Sequence, residues 1–142
     1  MTEIKIGGRT IPLMLTCMEM PVIQEEIGCT AAQMRTEVFG IQMNEETGDY
    51  EIHMMEDSEK IRKLGVLLRI MGNAGLEEAG KEPDLTDKWV LRRMKPGMAL
   101  AFAIVAMTAV NEAMSMETAE EAEKGPVDEI LREENAKKEP GK

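Results

Sequence analysis

The side chains best suited to chemistry in this chain are its single histidine and its two cysteines. His53 stands close to Glu51 and Glu56, and an imidazole beside a carboxylate can act as a general acid or base. No nucleophile or oxyanion donor is placed beside it by the sequence. A surface histidine in an acidic loop is therefore the favoured interpretation, and one histidine cannot form a multi-histidine metal site.

Cys17 is the second candidate for chemistry. It follows Thr16, whose spacing to Glu19 matches a helix capping box, and a thiol at a helix N-terminus has a lowered pKa. A free cysteine is nevertheless more often a small apolar packing residue, so we expect Cys17 to pack rather than to react. The N-terminus has no hydrophobic signal core, so we expect a reducing cytoplasm, with Cys17 and Cys29 both free.

Composition excludes several classes of function. The 142 residues carry a net charge of −10 and only 3% aromatic side chains, which disfavours nucleic-acid binding, since that depends on Lys, Arg and stacking rings. The longest apolar run, 98–110, is shorter than the ~20 residues of a membrane span. The run predicts instead a core helix that is buried on most sides at the centre of the domain.

The sequence contains no cofactor motif. It therefore favours a non-enzymatic protein that acts by binding.

The N-terminal half predicts hairpins and short helices. Alternating apolar residues on both sides of Gly7-Gly8 predict a β-hairpin over 4–13. Capping boxes at Thr16 and Thr30 predict two helices, although Pro21 requires either a distorted first turn or a start near Met20. The segment 41–57 fits a second hairpin or an acidic loop.

The C-terminal half predicts longer helices. One starts at Asp57-Ser58, with apolar residues at helical spacing, and is ended or loosened at Gly72-Asn73 and Gly75. Further helices are expected over 84–94 and from Pro96 to about Met116. The predicted fold is mainly α (α+β): an N-terminal β-hairpin and a compact bundle of about five helices in one domain, 1–116. A disordered, charged tail is expected over 117–142.

One basic cluster interrupts the acidic composition. Lys88, Arg92, Arg93 and Lys95 lie within eight positions. Such a cluster either contacts an acidic partner or forms the solvated face of a helix, where cations near the C-terminus are favourable.

Two stretches resemble the tail assembly chaperones of long-tailed (siphovirus-like) phages and prophages. The first is the run 4–13 with its Ile-Gly-Gly-Arg turn, followed by Thr16 and a helix that ends in 23–28. The second is 67–75, which ends in Asn-Ala-Gly and is similar to the middle helix of those proteins. The resemblance covers 3–116 in layout, and Pro21 departs from its usual pattern.

The resemblance implies a non-enzymatic morphogenetic factor. Such chaperones bind the long helical tape-measure protein, recruit tail tube subunits, and act in the host cytoplasm without entering the mature virion. No cofactor, nucleic acid or membrane is implied, and self-association is left open.

Methionine, at 14 residues, provides adaptable contacts that suit a client-binding surface, although packing is expected for most of them. We expect partner binding from the acidic segment 111–131, through its apolar residues: Met114, Met116, Ile130 and Leu131. The alternatives are an acidic regulatory or adaptor protein of a mobile element that acts by protein–protein binding, and a small enzyme that uses Cys17 or His53.

Overall fold

The computed structural model describes residues 1–115. The chain divides into two compact units, 1–110 and 111–142, and of the second unit only 111–115 is described. The predicted tail, 117–142, lies outside the described residues. The predicted fold class is confirmed: a β-hairpin stands at the N-terminus, and five helices and a second small hairpin follow it.

The first hairpin pairs β1 (Glu3–Ile6) with β2 (Arg9–Pro12) in antiparallel register, Ile4 opposite Ile11. Gly7 and Gly8 both adopt positive φ, +55° and +79°, as a tight two-residue turn requires. Alternation places one face of each strand in the core, so Ile4, Ile6 and Ile11 are buried.

Helix α1 (Met20–Glu26) begins where Pro21 allows it, in the first turn, which is the later of the two starts that the sequence left open. The Thr16–Glu19 pair does form: Glu19 Oε1 accepts from the Thr16 backbone N–H at 2.7 Å and from its hydroxyl at 2.8 Å. The pair therefore orders the turn before the helix and leaves the helix N-terminus without a side-chain cap.

The middle of the chain contains the second hairpin. A 3₁₀ turn, Ala31–Gln33, leads into the short helix α2 (Met34–Glu37). Strands β3 (Ile41–Met43) and β4 (Tyr50–Ile52) then pair antiparallel, which selects the hairpin over the acidic loop. The turn between them is held by Asn44, whose side-chain oxygen accepts from the Glu46 N–H at 2.9 Å.

Helix α3 (Ser58–Glu78) is the centre of the fold. Its start is capped by Asp57, which accepts from the Glu59 N–H at 2.9 Å. Burial covers almost the whole circumference from Leu64 to Gly72, so this helix is enclosed by the elements around it.

The prediction that Gly72, Asn73 and Gly75 end or loosen this helix is wrong, because the helix continues through all three to Glu78. These glycines permit close packing instead. A Cβ built at Gly75 would lie 1.9 Å from the Pro12 carbonyl oxygen, and one at Gly72 would lie 2.6 Å from a Leu85 methyl carbon. Next to this contact, the Met14 N–H donates to the Met71 carbonyl at 3.0 Å.

Asn73 fixes the connection that leads to helix α4 (Asp87–Arg93). Its side-chain oxygen accepts from the Leu85 N–H at 2.9 Å, and its amide donates to the Leu85 carbonyl at 3.1 Å. Thr86 then caps α4 by accepting from the Trp89 N–H at 3.1 Å. Arg69 of α3 adds a hydrogen bond to Asp87 at 2.8 Å, so the start of α4 is tied to α3 on two sides.

The last helix, α5 (Ala99–Met114), follows a 3₁₀ turn, Pro96–Met98. The prediction that it is the central, mostly buried helix is wrong. Within 99–110 only one face is buried, while Leu100 and Ile104 are exposed. Apolar composition alone does not determine how much of a helix is covered, and here the central position belongs to α3.

Candidate partner-binding surface

The end of the 3₁₀ turn and the first turns of α5 present an exposed apolar surface, which we call the α5 face: Met98, Leu100 and Ile104. Leu100 is 46% exposed and Ile104 49% exposed, and the two lie four residues apart on one side of the helix. Since about half of each side chain is already buried, covering the exposed half of either one would be worth about 0.7–1.5 kcal/mol. The α5 face is therefore an apolar surface suited to contact with a partner.

The opposite side of α5 is buried in the core. It contributes Phe102 and a set of small residues: Ala99, Ala103, Ala106 and Ala109. The small side chains occupy the inner face, and the large aliphatic ones, Leu100 and Ile104, are left outside. This is the reverse of the arrangement expected when a helix serves only as a core element.

The same segment satisfies the length and hydropathy of a membrane span. The segment Pro96–Met114 is 19 residues long and contains a window with a mean hydropathy of 1.5, of which a third is buried in the fold. Among the described residues it is the one helix that passes this test. Core helices of water-soluble proteins pass the same test. A lipid surface is therefore a competing occupant that an experiment on the α5 face must include.

The structure describes one of the four residues predicted to bind a partner. Met114 is 54% exposed near the end of α5, while Met116, Ile130 and Leu131 lie outside the described residues. Sequence reasoning missed Leu100 and Ile104. One signal was present: Thr108, the one polar side chain in 98–110, is one turn beyond Ile104 and marks the solvent side.

His53 bridges the second hairpin and the 3₁₀ turn Met54–Glu56. In its ring, Nδ1 lies 3.2 Å from a Glu56 carboxylate oxygen and Nε2 lies 3.2 Å from a Glu51 carboxylate oxygen. The backbone N–H of His53 donates to the Gly40 carbonyl at 2.8 Å. The hydrogen bond with Glu56, and next that with Glu51, raises the pKa of the imidazole. Both ring nitrogens are engaged by carboxylates that fix the hairpin, which is a structural role.

The two cysteines differ in environment. Cys29 is buried, and this burial raises the pKa of its thiol, with Glu37 adding to the effect and Lys63 opposing it. Cys17 is exposed, so the expectation that it packs among apolar neighbours is wrong: the turn before α1 carries it outward. Both thiols are free, as predicted.

Methionine is divided between the core and the surface. Met34, Met54 and Met71 are fully buried, and Met94 nearly so. Six others are large exposed side chains: Met1, Met18, Met43, Met55, Met98 and Met114. Flexible thioethers in such numbers at the surface give it apolar contacts that adapt to more than one shape.

Within residues 1–115, no group of three or more His, Cys, Asp or Glu side chains is arranged to hold a metal ion. Comparison with protein-family models, with curated proteins and with solved structures finds no match for the chain. The surface therefore has to be interpreted from its own residues.

Proposed function

We propose that this chain is a non-enzymatic tail assembly chaperone of a long-tailed phage or prophage, which binds the helical tape-measure protein and recruits tail tube subunits during morphogenesis. The observation that carries the proposal is the α5 face, an exposed apolar surface on a helix whose opposite side is buried in the core. An amphipathic helix of a client buries its apolar stripe against such a surface.

Charge and methionine content support the same function. A net charge of −10 keeps many unbound copies soluble and mutually repelling. Within the α5 face, Met98 supplies a flexible thioether, which lets the surface adapt to successive, non-identical segments of a long client. The sequence resemblance over 4–13 and 67–75 adds the particular client class, the tape-measure protein.

The test is co-expression with a long, helix-rich tape-measure protein, the client class that the proposal names, followed by co-purification and light scattering. We expect a soluble complex that contains many copies of this chain per client. In the Leu100→Glu/Ile104→Glu variant, two charges enter the apolar contact and client affinity falls by about 3 kcal/mol, roughly a hundredfold.

The matched control is Met18→Glu/Met43→Glu. It removes two exposed apolar side chains, 82% and 56% exposed, and adds the same charge away from α5. The proposal fails if the control weakens the complex as much as the α5 variant, or if the client stays insoluble and this chain elutes alone. The latter result favours the acidic adaptor of a mobile element.

Two further arms separate the remaining alternatives. Alanine at Met114, Met116, Ile130 and Leu131 together tests whether the acidic C-terminal segment shares in client binding, and unchanged affinity removes those residues from the surface. Flotation with vesicles of neutral and anionic lipids tests the membrane, and co-flotation abolished by Leu100→Glu/Ile104→Glu would assign the α5 face to lipid and contradict the chaperone.

A further inference from the structure

A second surface lies on α4, where cations surround the chain's single tryptophan. The Arg93 guanidinium carbon lies 4.5 Å from the centre of the Trp89 ring, and that of Arg9, from the first hairpin, lies 5.4 Å from it. Arg93 also donates to the Trp89 carbonyl at 3.3 Å. We call this surface the α4 patch, and it comprises Lys88, Trp89, Arg92, Arg93 and Lys95.

The cations of the α4 patch are not neutralised by the acidic groups beside them. Asp84 is paired with Arg9 at 3.0 Å, and Asp87 is engaged by Arg69 at 2.8 Å. In the part of the chain that the structure describes, no carboxylate lies within ion-pair distance of any cation of the patch. In a protein of net charge −10, three cations on α4 and a fourth, Lys95, just after it give this surface a local positive charge.

The α4 patch also contains two depressions in the protein surface. Two shallow depressions of about 450 and 270 Å³ share Lys88 and Arg92. Leu91 lines the larger depression, and Trp89 lines the smaller one beside Arg93. Each depression therefore combines an apolar wall with cationic donors.

We propose that the α4 patch is a docking site for a carboxylate-rich peptide segment of a partner protein. Guanidinium groups bind carboxylates through paired, charge-assisted hydrogen bonds, and the walls formed by Leu91 and Trp89 accept an apolar side chain of the same segment. A nucleic acid fits less well, because one tryptophan offers no series of stacking rings. The site is separate from the α5 face and does not depend on the proposed function.

The experiment uses Trp89 as its own reporter, since it is the only tryptophan in the chain. The full chain is titrated with a synthetic decapeptide of five glutamates, two leucines and three glycines, and Trp89 fluorescence is followed at low salt and at 0.5 M salt. We expect saturable binding that weakens at least tenfold at high salt, because exposed charges are then screened. The same peptide with glutamine in place of glutamate should not bind.

Two variants with the same change in net charge locate the site. Lys88→Gln/Arg92→Gln removes two cations that lack acidic partners and should weaken binding about tenfold, as expected for two partly exposed ion pairs. Arg35→Gln/Lys81→Gln alters residues that line neither depression and should change affinity less than twofold. Thermal unfolding of both variants checks that the fold is retained.

Three results would overturn the proposal. The glutamine peptide binding as tightly as the glutamate peptide would show that charge does not select the ligand. Equal loss of affinity in both variants would show a general effect of net charge. Tighter binding of a twelve-nucleotide oligothymidylate than of the acidic peptide would reassign the α4 patch to nucleic acid. None of these results bears on the client-binding test at the α5 face.

Discussion

The close backbone approach at Gly75 provides a sharp test of the fold. At Gly75, α3 and the first hairpin lie so close that an added Cβ would be 1.9 Å from the Pro12 carbonyl oxygen and 2.6 Å from the Pro12 carbonyl carbon. Real Cβ atoms keep at least 3.0 Å from such neighbours, so Gly75→Ala must move α3 and the hairpin apart by about 1 Å.

The magnitude follows from three contributions. Alanine in a helix interior gains about 1 kcal/mol over glycine, which favours the variant. Overpacking a rigid contact costs about 1–3 kcal/mol or more, and lengthening the 3.0 Å Met14–Met71 hydrogen bond removes about 1 kcal/mol. For a contact this short we expect Gly75→Ala to lower the free energy of unfolding by about 2–3 kcal/mol. That corresponds to a fall in Tm of roughly 7 to 13 °C.

Urea and thermal unfolding followed by circular dichroism measure the effect, and two glycines serve as controls. Gly97 has nothing within 4 Å and no positive φ, so Gly97→Ala should be neutral or slightly stabilising. Gly80 also has open space but a φ of +75°, so Gly80→Ala should cost about 1 kcal/mol from backbone strain alone. If Gly75→Ala were as stable as the unaltered chain, the packing of the hairpin on α3 would be refuted.

Three further outcomes are expected. Asn73→Ala should lower the free energy of unfolding by about 2–3 kcal/mol in urea titrations, because two partly buried hydrogen bonds to the Leu85 backbone are lost; a change below 0.5 kcal/mol would contradict that clamp. The pKa of His53, measured by NMR titration, should exceed 6.5, the value of an unperturbed imidazole. Since protonation is then favoured by folding, its stabilising contribution is full below pH 6.5 and is lost as the pH rises through the folded-state pKa; a measured pKa at or below 6.5 would refute this. In the native protein a thiol reagent should label Cys17 well before Cys29, and denaturant should abolish the difference; equal native rates would contradict the burial of Cys29.

Local patterns predicted local structure well. Alternation around Gly7-Gly8 and the helical spacing after Asp57 identified elements whose hydrogen bonds are made close in sequence. The late start of α1 was among the predicted options because Pro21 restricts the backbone in a known way.

The wrong predictions concern packing between distant elements. Gly72 and Gly75 were interpreted as helix breakers, because the sequence does not show that Leu85 and Pro12 press against them. The burial of α5 was overestimated for the same reason: its composition is apolar on all sides, but whether Leu100 and Ile104 are covered depends on which elements surround the helix. As a result, the sequence assigned the α5 face to the core.

The backbone contact between the first hairpin and α3 determines which substitutions the fold tolerates. The contact at Gly75 and the Met14–Met71 hydrogen bond join main chain to main chain, so the relative position of the two elements does not rely on the shape of particular side chains there. In a randomised library, Met14 and the buried Met71 should accept apolar residues of similar volume, whereas position 75 should accept almost nothing but glycine. A chain built in this way can diversify its outward-facing residues, and with them its choice of partner, while the geometry of the hairpin against the helix stays fixed.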